Sequence, residues 1–222
     1  RSATALGENA HAAAYATAVG ANSYAIAYGS NALGTFAFAA GRNSNALGAN
    51  SVAGGDGSVA LGSFAYSTGL HSNAIGYFSV ATGYASSALG NNAMALGDSS
   101  VAIGNTSLAS GDYGIAVGPF AVARGYSSVA LGDTAVALSN NGIAIGKNSY
   151  VAATGPLSSN YYSGTSSIVP TEGIAIGTGA NVTGVKGMAL GSDAEATSQY
   201  ATALGADSTA VTIIMVVLLP LS

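Results

Sequence analysis

The sequence predicts an all-β protein, a parallel β-solenoid whose 14-residue coils each contain two short strands. Three observations predict this fold. Glycine recurs every seven residues from Gly34 to Gly146 with one exception, alanine occupies the centre of nearly every five-residue run that ends on these glycines, and alternate runs place Leu, Ile or Val just before the glycine. Many copies of one short unit at a fixed period are typical of solenoids, in which each coil packs only on its neighbours.

A helical coiled coil also repeats every seven residues, but the residues that repeat here exclude it. Coiled coils place large apolar residues at two positions of each heptad, with charged residues beside them. In this chain the repeated residues are glycine and alanine, and each glycine costs about 1 kcal/mol relative to alanine inside a helix. Short runs separated by Gly, Asn, Asp and Ser instead favour strands joined by tight turns.

The residue before each glycine shows that two unlike strands alternate. In every second run this residue is aliphatic, whereas the intervening runs have mixed residues such as Thr68, Ser110 and Arg124. The repeating unit is therefore a coil of strand, turn, strand and turn. The aliphatic column, continued beyond Gly173, consists of Leu33, Leu47, Leu61, Ile75, Leu89, Ile103, Val117, Leu131, Ile145, Ile176, Leu190 and Leu204.

Strand alternation decides which side chains face the inside of each coil. The first, third and fifth residues of every run share one face and are mostly Ser, Ala and Gly. The second and fourth residues share the other face, which includes Arg124, and burying an unpaired guanidinium is costly. We therefore expect the small face inside the roll. The opposite assignment, with the aliphatic residues inside and the alanines outside, stays open at this point.

An aliphatic column on the outside of a rod is larger than the apolar patches that monomers normally expose. We expect this column to be buried between copies of the chain, in a homo-oligomer with cyclic symmetry about the rod axis. The other strand of each coil then faces water. Its second position carries an apolar column, preceded by Phe38 and Val52, that forms a candidate ligand-binding surface: Tyr66, Val80, Met94, Leu108, Val122 and Val136. The alternative is that turns cover part of this column, or that its side chains help neighbouring strands to pack together.

Irregular segments divide the chain into four parts. We predict head repeats over 1–155, an insertion at 156–172, continuing repeats over 173–210 and an apolar tail at 211–222. The insertion contains Tyr161 and Tyr162, which join the candidate binding surface because solenoid insertions often bind partners and tyrosine is frequent at interfaces. A hairpin packed on a neighbouring subunit is the alternative. The tail is too short to cross a membrane as a helix, and we interpret it as a segment added during cloning or as a terminal strand packed in the oligomer.

Four runs carry a resemblance to a known family: Ser58–Gly62 (SVALG), Ser100–Gly104 (SVAIG), Gly114–Gly118 (GIAVG) and Ser128–Gly132 (SVALG). They closely resemble the head repeats of trimeric autotransporter adhesins, the YadA-like head, over roughly residues 3–147 and 173–210. The resemblance implies a left-handed parallel β-roll that forms a homotrimer. It also implies display on a stalk at the outer membrane of a Gram-negative bacterium, where the head binds host cells or matrix proteins of the collagen, fibronectin or laminin class. We expect the chain to be a head fragment that does not itself insert into the membrane.

Composition excludes several other classes. Charged residues make up 6% of the chain while 49% are hydrophobic, which is the reverse of the composition of disordered proteins. The absence of cysteine excludes disulfides, and five Lys and Arg residues are too few for binding a nucleic-acid backbone. We predict no catalytic, cofactor or metal site: His11 and His71 are expected to be solvated, and Asp98 and Asp112 are better explained as turn-forming residues than as cation ligands.

These observations predict a non-enzymatic surface adhesin head. A structural spacer, or a self-association module without a host ligand, is the alternative. Left-handed hexapeptide acyltransferases need 18 residues per coil, which the unbroken seven-residue repeat contradicts. Ice-binding solenoids expose regular ranks of threonine, and here Arg124 and Leu138 interrupt the column that contains Thr68 and Thr82.

Overall fold

The computed structural model describes residues 2–152 and 172–211, and in these ranges it consists of short strands and tight turns. Three-residue strands alternate with two-residue strands along the chain, so we number all strands in chain order and assign the odd ones to sheet 1 and the even ones to sheet 2. The predicted insertion, apart from Glu172, and the tail, apart from Val211, lie outside the described residues.

Sheet 1 contains β1 (Thr4–Leu6), β3 (Thr17–Val19), β5 (Asn31–Leu33), β7 (Asn45–Leu47), β9 (Val59–Leu61), β11 (Asn73–Ile75), β13 (Ser87–Leu89), β15 (Val101–Ile103), β17 (Ile115–Val117), β19 (Val129–Leu131), β21 (Ile143–Ile145), β23 (Ile174–Ile176), β25 (Met188–Leu190) and β27 (Thr202–Leu204). Sheet 2 contains β2 (His11–Ala12), β4 (Tyr24–Ala25), β6 (Phe38–Ala39), β8 (Val52–Ala53), β10 (Tyr66–Ser67), β12 (Val80–Ala81), β14 (Met94–Ala95), β16 (Leu108–Ala109), β18 (Val122–Ala123), β20 (Val136–Ala137), β22 (Tyr150–Val151), β24 (Asn181–Val182), β26 (Glu195–Ala196) and β28 (Thr209–Ala210).

Every strand pairs in parallel with the equivalent strand of the next coil. Ile75 lies beside Leu89, and Tyr66 beside Val80, so the register advances by one 14-residue coil. The first coil is one residue shorter, since Thr4 pairs with Thr17. Across the predicted insertion the pairing continues directly, with Ile143 beside Ile174. The prediction of an all-β parallel solenoid with two strands per coil is confirmed.

The interior of the roll is lined by alanine and serine. Away from the first and last coils, the central alanines of the runs, such as Ala74 and Ala102, are fully buried, and so are the first-position serines. Leu61, next to the buried Ala60, is 44% exposed. The small residues therefore face inward and the aliphatic column faces outward, which excludes the opposite assignment. Ser67, the one central serine among the regular runs, is accommodated by a buried hydrogen bond between its hydroxyl and that of Ser72 (2.7 Å).

Glycine ends each sheet 1 run because the next coil leaves no room for a side chain. Gly62 has a φ of +136°, and a Cβ added there would lie 2.5 Å from the carbonyl oxygen of Gly76 in the following coil. An L-residue at this position would be strained in its backbone and would also collide with its neighbour. The glycine at the end of each sheet 1 run, which recurs once per coil, is thus a requirement for close stacking of the coils.

Two larger residues enter the interior beside the predicted insertion. Val151 and Val182 replace the usual alanine in sheet 2 and are fully buried. In the sheet 1 runs that face these valines, the first position is glycine and not serine. A Cβ added to Gly173 would lie 2.7 Å from Cγ1 of Val151 and 3.1 Å from Cγ1 of Val182. Small residues on one sheet therefore make room for the larger residues on the other.

Candidate assembly and binding surfaces

The outer face of sheet 1 carries the predicted interface residues in one straight column, because the parallel register stacks the fourth position of each run. Within one chain these side chains are half-buried or exposed, with Leu204 the most accessible at 68%. The second position of the same strands widens the face. This position was not among the predicted interface residues, although the Val or Ile in runs such as SVAIG marks it: Val59, Val101, Ile115, Val129, Ile143 and Ile174.

The width of this apolar face changes along the rod. From Val101 to Ile145 both outward columns of sheet 1 are aliphatic. Nearer the beginning of the chain the second position carries Asn31 and Asn45, whose side-chain amides form a hydrogen bond of 2.8 Å from coil to coil. Contact between copies is therefore expected to be most apolar in the section from β15 to β21.

The outer face of sheet 2 holds the candidate ligand-binding column. Tyr66 and Met94 are exposed, whereas Val80, Leu108, Val122 and Val136 are half-buried between neighbouring side chains. In the two outward columns from Val52 to Leu138, Arg124 is the one charged residue, and it is exposed. The face is thus shallow, nearly uncharged and repeated from coil to coil. Tyr161 and Tyr162, predicted to share this surface, lie outside the described residues.

The two turns of each coil form the edges of the roll. We call the pairs that follow sheet 1 strands, such as Tyr77 and Phe78, the first-turn edge, and the pairs that follow sheet 2 strands, such as Tyr84 and Ala85, the second-turn edge. The second residue of each pair has a left-handed backbone conformation, with φ of 53° at Phe78 and 50° at Ala85. Asn and Gly tolerate this conformation most easily.

Aspartate and asparagine on the second-turn edge connect successive coils. The Asp98 carboxylate accepts a hydrogen bond of 2.8 Å from the Tyr84 amide, and the Asp98 amide donates in turn to Asp112 (2.9 Å). Asp56 and Asn140 accept from the amides of Arg42 and Tyr126 in the same way. These side chains therefore cap the turn of the preceding coil, whereas sequence analysis interpreted Asp98 and Asp112 as local turn formers.

Replacing Asp98 by alanine is expected to lower the free energy of unfolding by about 1 kcal/mol, because the Tyr84 amide loses its partner. Urea denaturation followed by circular dichroism measures the change. Asp98→Asn is the matched control, since Asn140 makes the equivalent bond with an amide oxygen. Equal losses for the alanine and asparagine variants would contradict the capping role.

The remaining candidate residues do not form a chemical site. His11 on β2 and His71 on the second-turn edge are exposed and lie several coils apart. In residues 2–152 and 172–211, no three His, Cys, Asp or Glu side chains are grouped so that they could hold a metal ion. The same ranges contain no helix with the length and apolar character needed to cross a membrane.

A shallow depression of about 270 Å³ lies beside the end of the predicted insertion and is lined by Ile143, Ile174, Met188 and the charged pair Glu172 and Lys186. The Lys186 ammonium is 3.7 Å from the Glu172 carboxylate, and both side chains are about half exposed. The depression is open to solvent, and its two charged side chains are paired with each other.

The repeated unit matches a known protein family. The family model of the YadA head domain repeat matches residues 39–65, 67–93, 95–121, 123–149, 171–194 and 183–208, which together make up more than half of the chain. No curated protein sequence matches the chain. A crystal structure of the collagen-binding domain of the Yersinia adhesin YadA is similar, with 26% sequence identity and a TM-score of 0.47, over 72% of this chain and 92% of that one.

Proposed function

This chain belongs to the YadA head domain repeat family, and we propose that it is the head of a bacterial surface adhesin. Three copies form a rod whose outer face binds host extracellular-matrix proteins of the collagen, fibronectin or laminin class, or the host cell surface. The family is one of adhesin head repeats and not of enzymes, which agrees with a surface built from stacked apolar side chains. The head is displayed at the outer membrane of a Gram-negative bacterium.

The observation that carries this proposal is the repeated, nearly uncharged face of sheet 2. Its apolar column presents one side chain per coil, at the spacing of about 4.8 Å that separates neighbouring strands. Each contact is weak, but a fibrous partner lying along the rod meets many of them, and three chains multiply the number. Linked weak sites bind far more tightly than any one of them because the effective concentration is high.

Assembly of the rod supports the same function. The aliphatic column from Leu33 to Leu204 would leave a long apolar stripe in water if the chain were alone. Cyclic association turns this stripe toward the common axis and leaves sheet 2 of every copy facing outward. The binding faces of the three copies together then surround the rod.

Charged substitutions at Val80, Leu108 and Val122 test the binding face. We expect the triple aspartate variant to bind immobilised collagen, fibronectin or laminin at least about tenfold more weakly, a loss of about 1.4 kcal/mol, because three contacts along the same column become charged. Solid-phase binding measures the affinity, and light scattering verifies that the oligomer is intact.

A triple lysine variant at the same positions is the matched control. Apolar contact predicts that both signs of charge weaken binding, whereas an electrostatic contact would be weakened by one sign and strengthened by the other. Binding that remains unchanged in both variants would contradict the assignment of this face.

A structural spacer or a self-association module is the second candidate function. It is supported by the shallowness of the sheet 2 face, which is continuous from coil to coil and offers a ligand no enclosed pocket. An intact oligomer that binds no member of the matrix panel and no host cell would favour this function over adhesion.

A further inference from the structure

Both sheets have an open edge at the last described coil. β27 and β28 are the last strands in the order of their sheets. In the coil before, the Met188 amide donates to the Ala201 carbonyl of the following coil (2.8 Å). Thr202 is the residue of β27 that is equivalent to Met188, and no described coil follows to accept a bond from its amide. An open edge of this kind can pair with a further strand.

The small-residue core is open at the same end. Ala194 and Ala196 are fully buried, whereas Ala201 and Ala210 of the last coil are half-buried. A Cβ added to Gly205 would meet no described atom within 4 Å. Solenoids need a cap at such an end, because the last coil has no neighbour to cover it.

The sequence that follows keeps the seven-residue count but not the small residues. After β27, the next sheet 1 run falls on residues 215–219 (MVVLL). Its second and fourth residues, Val216 and Leu218, are the same as those of the run Ser128–Gly132 (SVALG). The outward pattern of a sheet 1 strand is therefore retained. The three inward positions, which elsewhere hold Ser, Ala and Gly, carry large apolar residues instead: Met215, Val217 and Leu219.

Such a run does not fit between two coils. A Cβ added to Gly191, at the fifth position of its run, would already collide with the Gly205 carbonyl oxygen of the next coil, and residues 215–219 place Leu219 at this position. Pro220 follows directly and restricts the residue before it to extended conformations, unlike the φ of 112° at Gly205. The run therefore fits at an open end of the roll, where large side chains cover the core and meet no further coil.

The connection to this run has the regular length. In the middle of the rod, Ala123 ends β18 and lies five residues before Ser128, the first residue of the next sheet 1 run. At the end of the rod, Ala210 ends β28 and lies five residues before Met215. The chain between β28 and residue 215 is thus as long as the one that returns to sheet 1 in a regular coil.

We propose that residues 215–219 add a final strand to sheet 1 beside β27 and close the open end of the roll. Their three inward side chains pack over Ala201 and Ala210, and their backbone accepts the bond from the Thr202 amide. Leu218 extends the aliphatic column by one coil beyond Leu204. The occupant of the open end is therefore the apolar tail of the same chain, which this assignment makes a part of the fold. The inference goes beyond the adhesin function and does not depend on what the rod binds.

An engineered disulfide tests the register of the added strand, because the chain contains no cysteine. Thr202→Cys with Val216→Cys places two thiols on neighbouring in-register residues. Adjacent strands lie about 4.8 Å apart, which is within the Cα separation that disulfides accept. Oxidation of the folded protein is expected to link the two thiols within one chain.

Cleavage at methionine with cyanogen bromide shows the link. The cuts after Met188 and Met215 separate the two cysteines into fragments 189–215 and 216–222, which are expected to stay joined until a reductant is added. Non-reducing gels are expected to show the mass of a single chain before cleavage, since the disulfide lies within one copy.

Thr202→Cys with Val217→Cys is the matched control. Its second thiol is shifted by one residue and points to the opposite face of a strand, so both thiols are expected to remain free. Equal linkage in the two pairs would show that the tail has no fixed register on β27. Linkage between chains would show that the tail joins copies instead of closing its own roll. Free thiols in both pairs would show that no strand is added. Each of these results would overturn the proposal.

Amide hydrogen exchange at Thr202 keeps the proposal testable if the cysteines impair folding. The Thr202 amide is expected to exchange at least about tenfold faster in Val217→Asp than in the parent chain, because a carboxylate over the alanine core displaces the added strand. Val217→Leu is the matched control and is expected to keep the slow exchange of the parent. An equal exchange rate in the parent and in Val217→Asp would contradict the cap. The measurement involves no matrix protein, so its failure is distinct from a failure of adhesion.

Discussion

Replacing Ile103 and Leu131 together by aspartate is expected to abolish assembly of the rod. Both side chains point outward from sheet 1 in its most apolar section, where Val101 and Val129 lie on the same face. In the assembled rod every copy would bury two unpaired carboxylates near the axis, and each buried charge costs several kcal/mol. The charges of all copies also converge on the axis and repel one another.

Light scattering measures this effect directly. The parent chain is expected at three times its mass of 21.3 kDa, whereas the double variant is expected at the mass of one chain or as an aggregate of exposed apolar faces. Thr82→Asp with Ser110→Asp is the matched control. These two residues occupy the same fourth position of their runs and have the same spacing, but they directly follow β12 and β16 of sheet 2. If the Ile103 and Leu131 variant kept the mass of the parent oligomer, the axial assignment of sheet 1 would be wrong.

The general architecture was predictable because its causes are local and repeated. Glycine at Gly62 and alanine at Ala60 are required in every coil by the distance to the next coil and to the facing sheet, so each requirement is visible many times in the sequence. The direction of the aliphatic column followed from Arg124, which occupies the same outward position on the alternate strand. One charged residue was thus sufficient to orient both faces.

Interactions between coils were harder to predict. Asp98 and Asp112 occupy equivalent turns, yet the amides that they cap belong to the preceding coil. An aspartate that only forms its own turn and an aspartate that bonds to the turn of the preceding coil have the same sequence signature until the register of stacking is known. The recurrence of Asp56, Asp98, Asp112 and Asn140 at multiples of the coil length was the available signal.

The contact between the large Val151 and the small Gly173 could not be predicted from the sequence for a different reason. The predicted insertion separates these residues in sequence, so their contact cannot be found by counting along the repeat. The structure restores the coil by pairing β21 with β23 and β22 with β24. Val151 and Gly173 then face one another inside the roll, although residues 152–172 separate them in sequence.

Gly173→Ser is expected to destabilise the protein by about 1–3 kcal/mol, the usual effect of overpacking a core. The new Cβ would lie 2.7 Å from Cγ1 of Val151, and the backbone of Gly173 is not in the left-handed region, so the cost arises from packing and not from strain in φ. Val151→Ala removes the colliding methyl groups. Alone it leaves a cavity that costs roughly 1–3 kcal/mol.

The double variant is expected to be more stable than the sum of the two single changes predicts, by at least about 0.5 kcal/mol, because residues in contact are not additive. It recreates on one side of the insertion the usual combination of serine on sheet 1 and alanine on sheet 2, as at Ser128 and Ala123. Urea unfolding of the parent, both single variants and the double variant gives the coupling energy. If the two losses were additive, Val151 would not limit the space at Gly173. The collision of the new side chain would then have to be with Val182 alone.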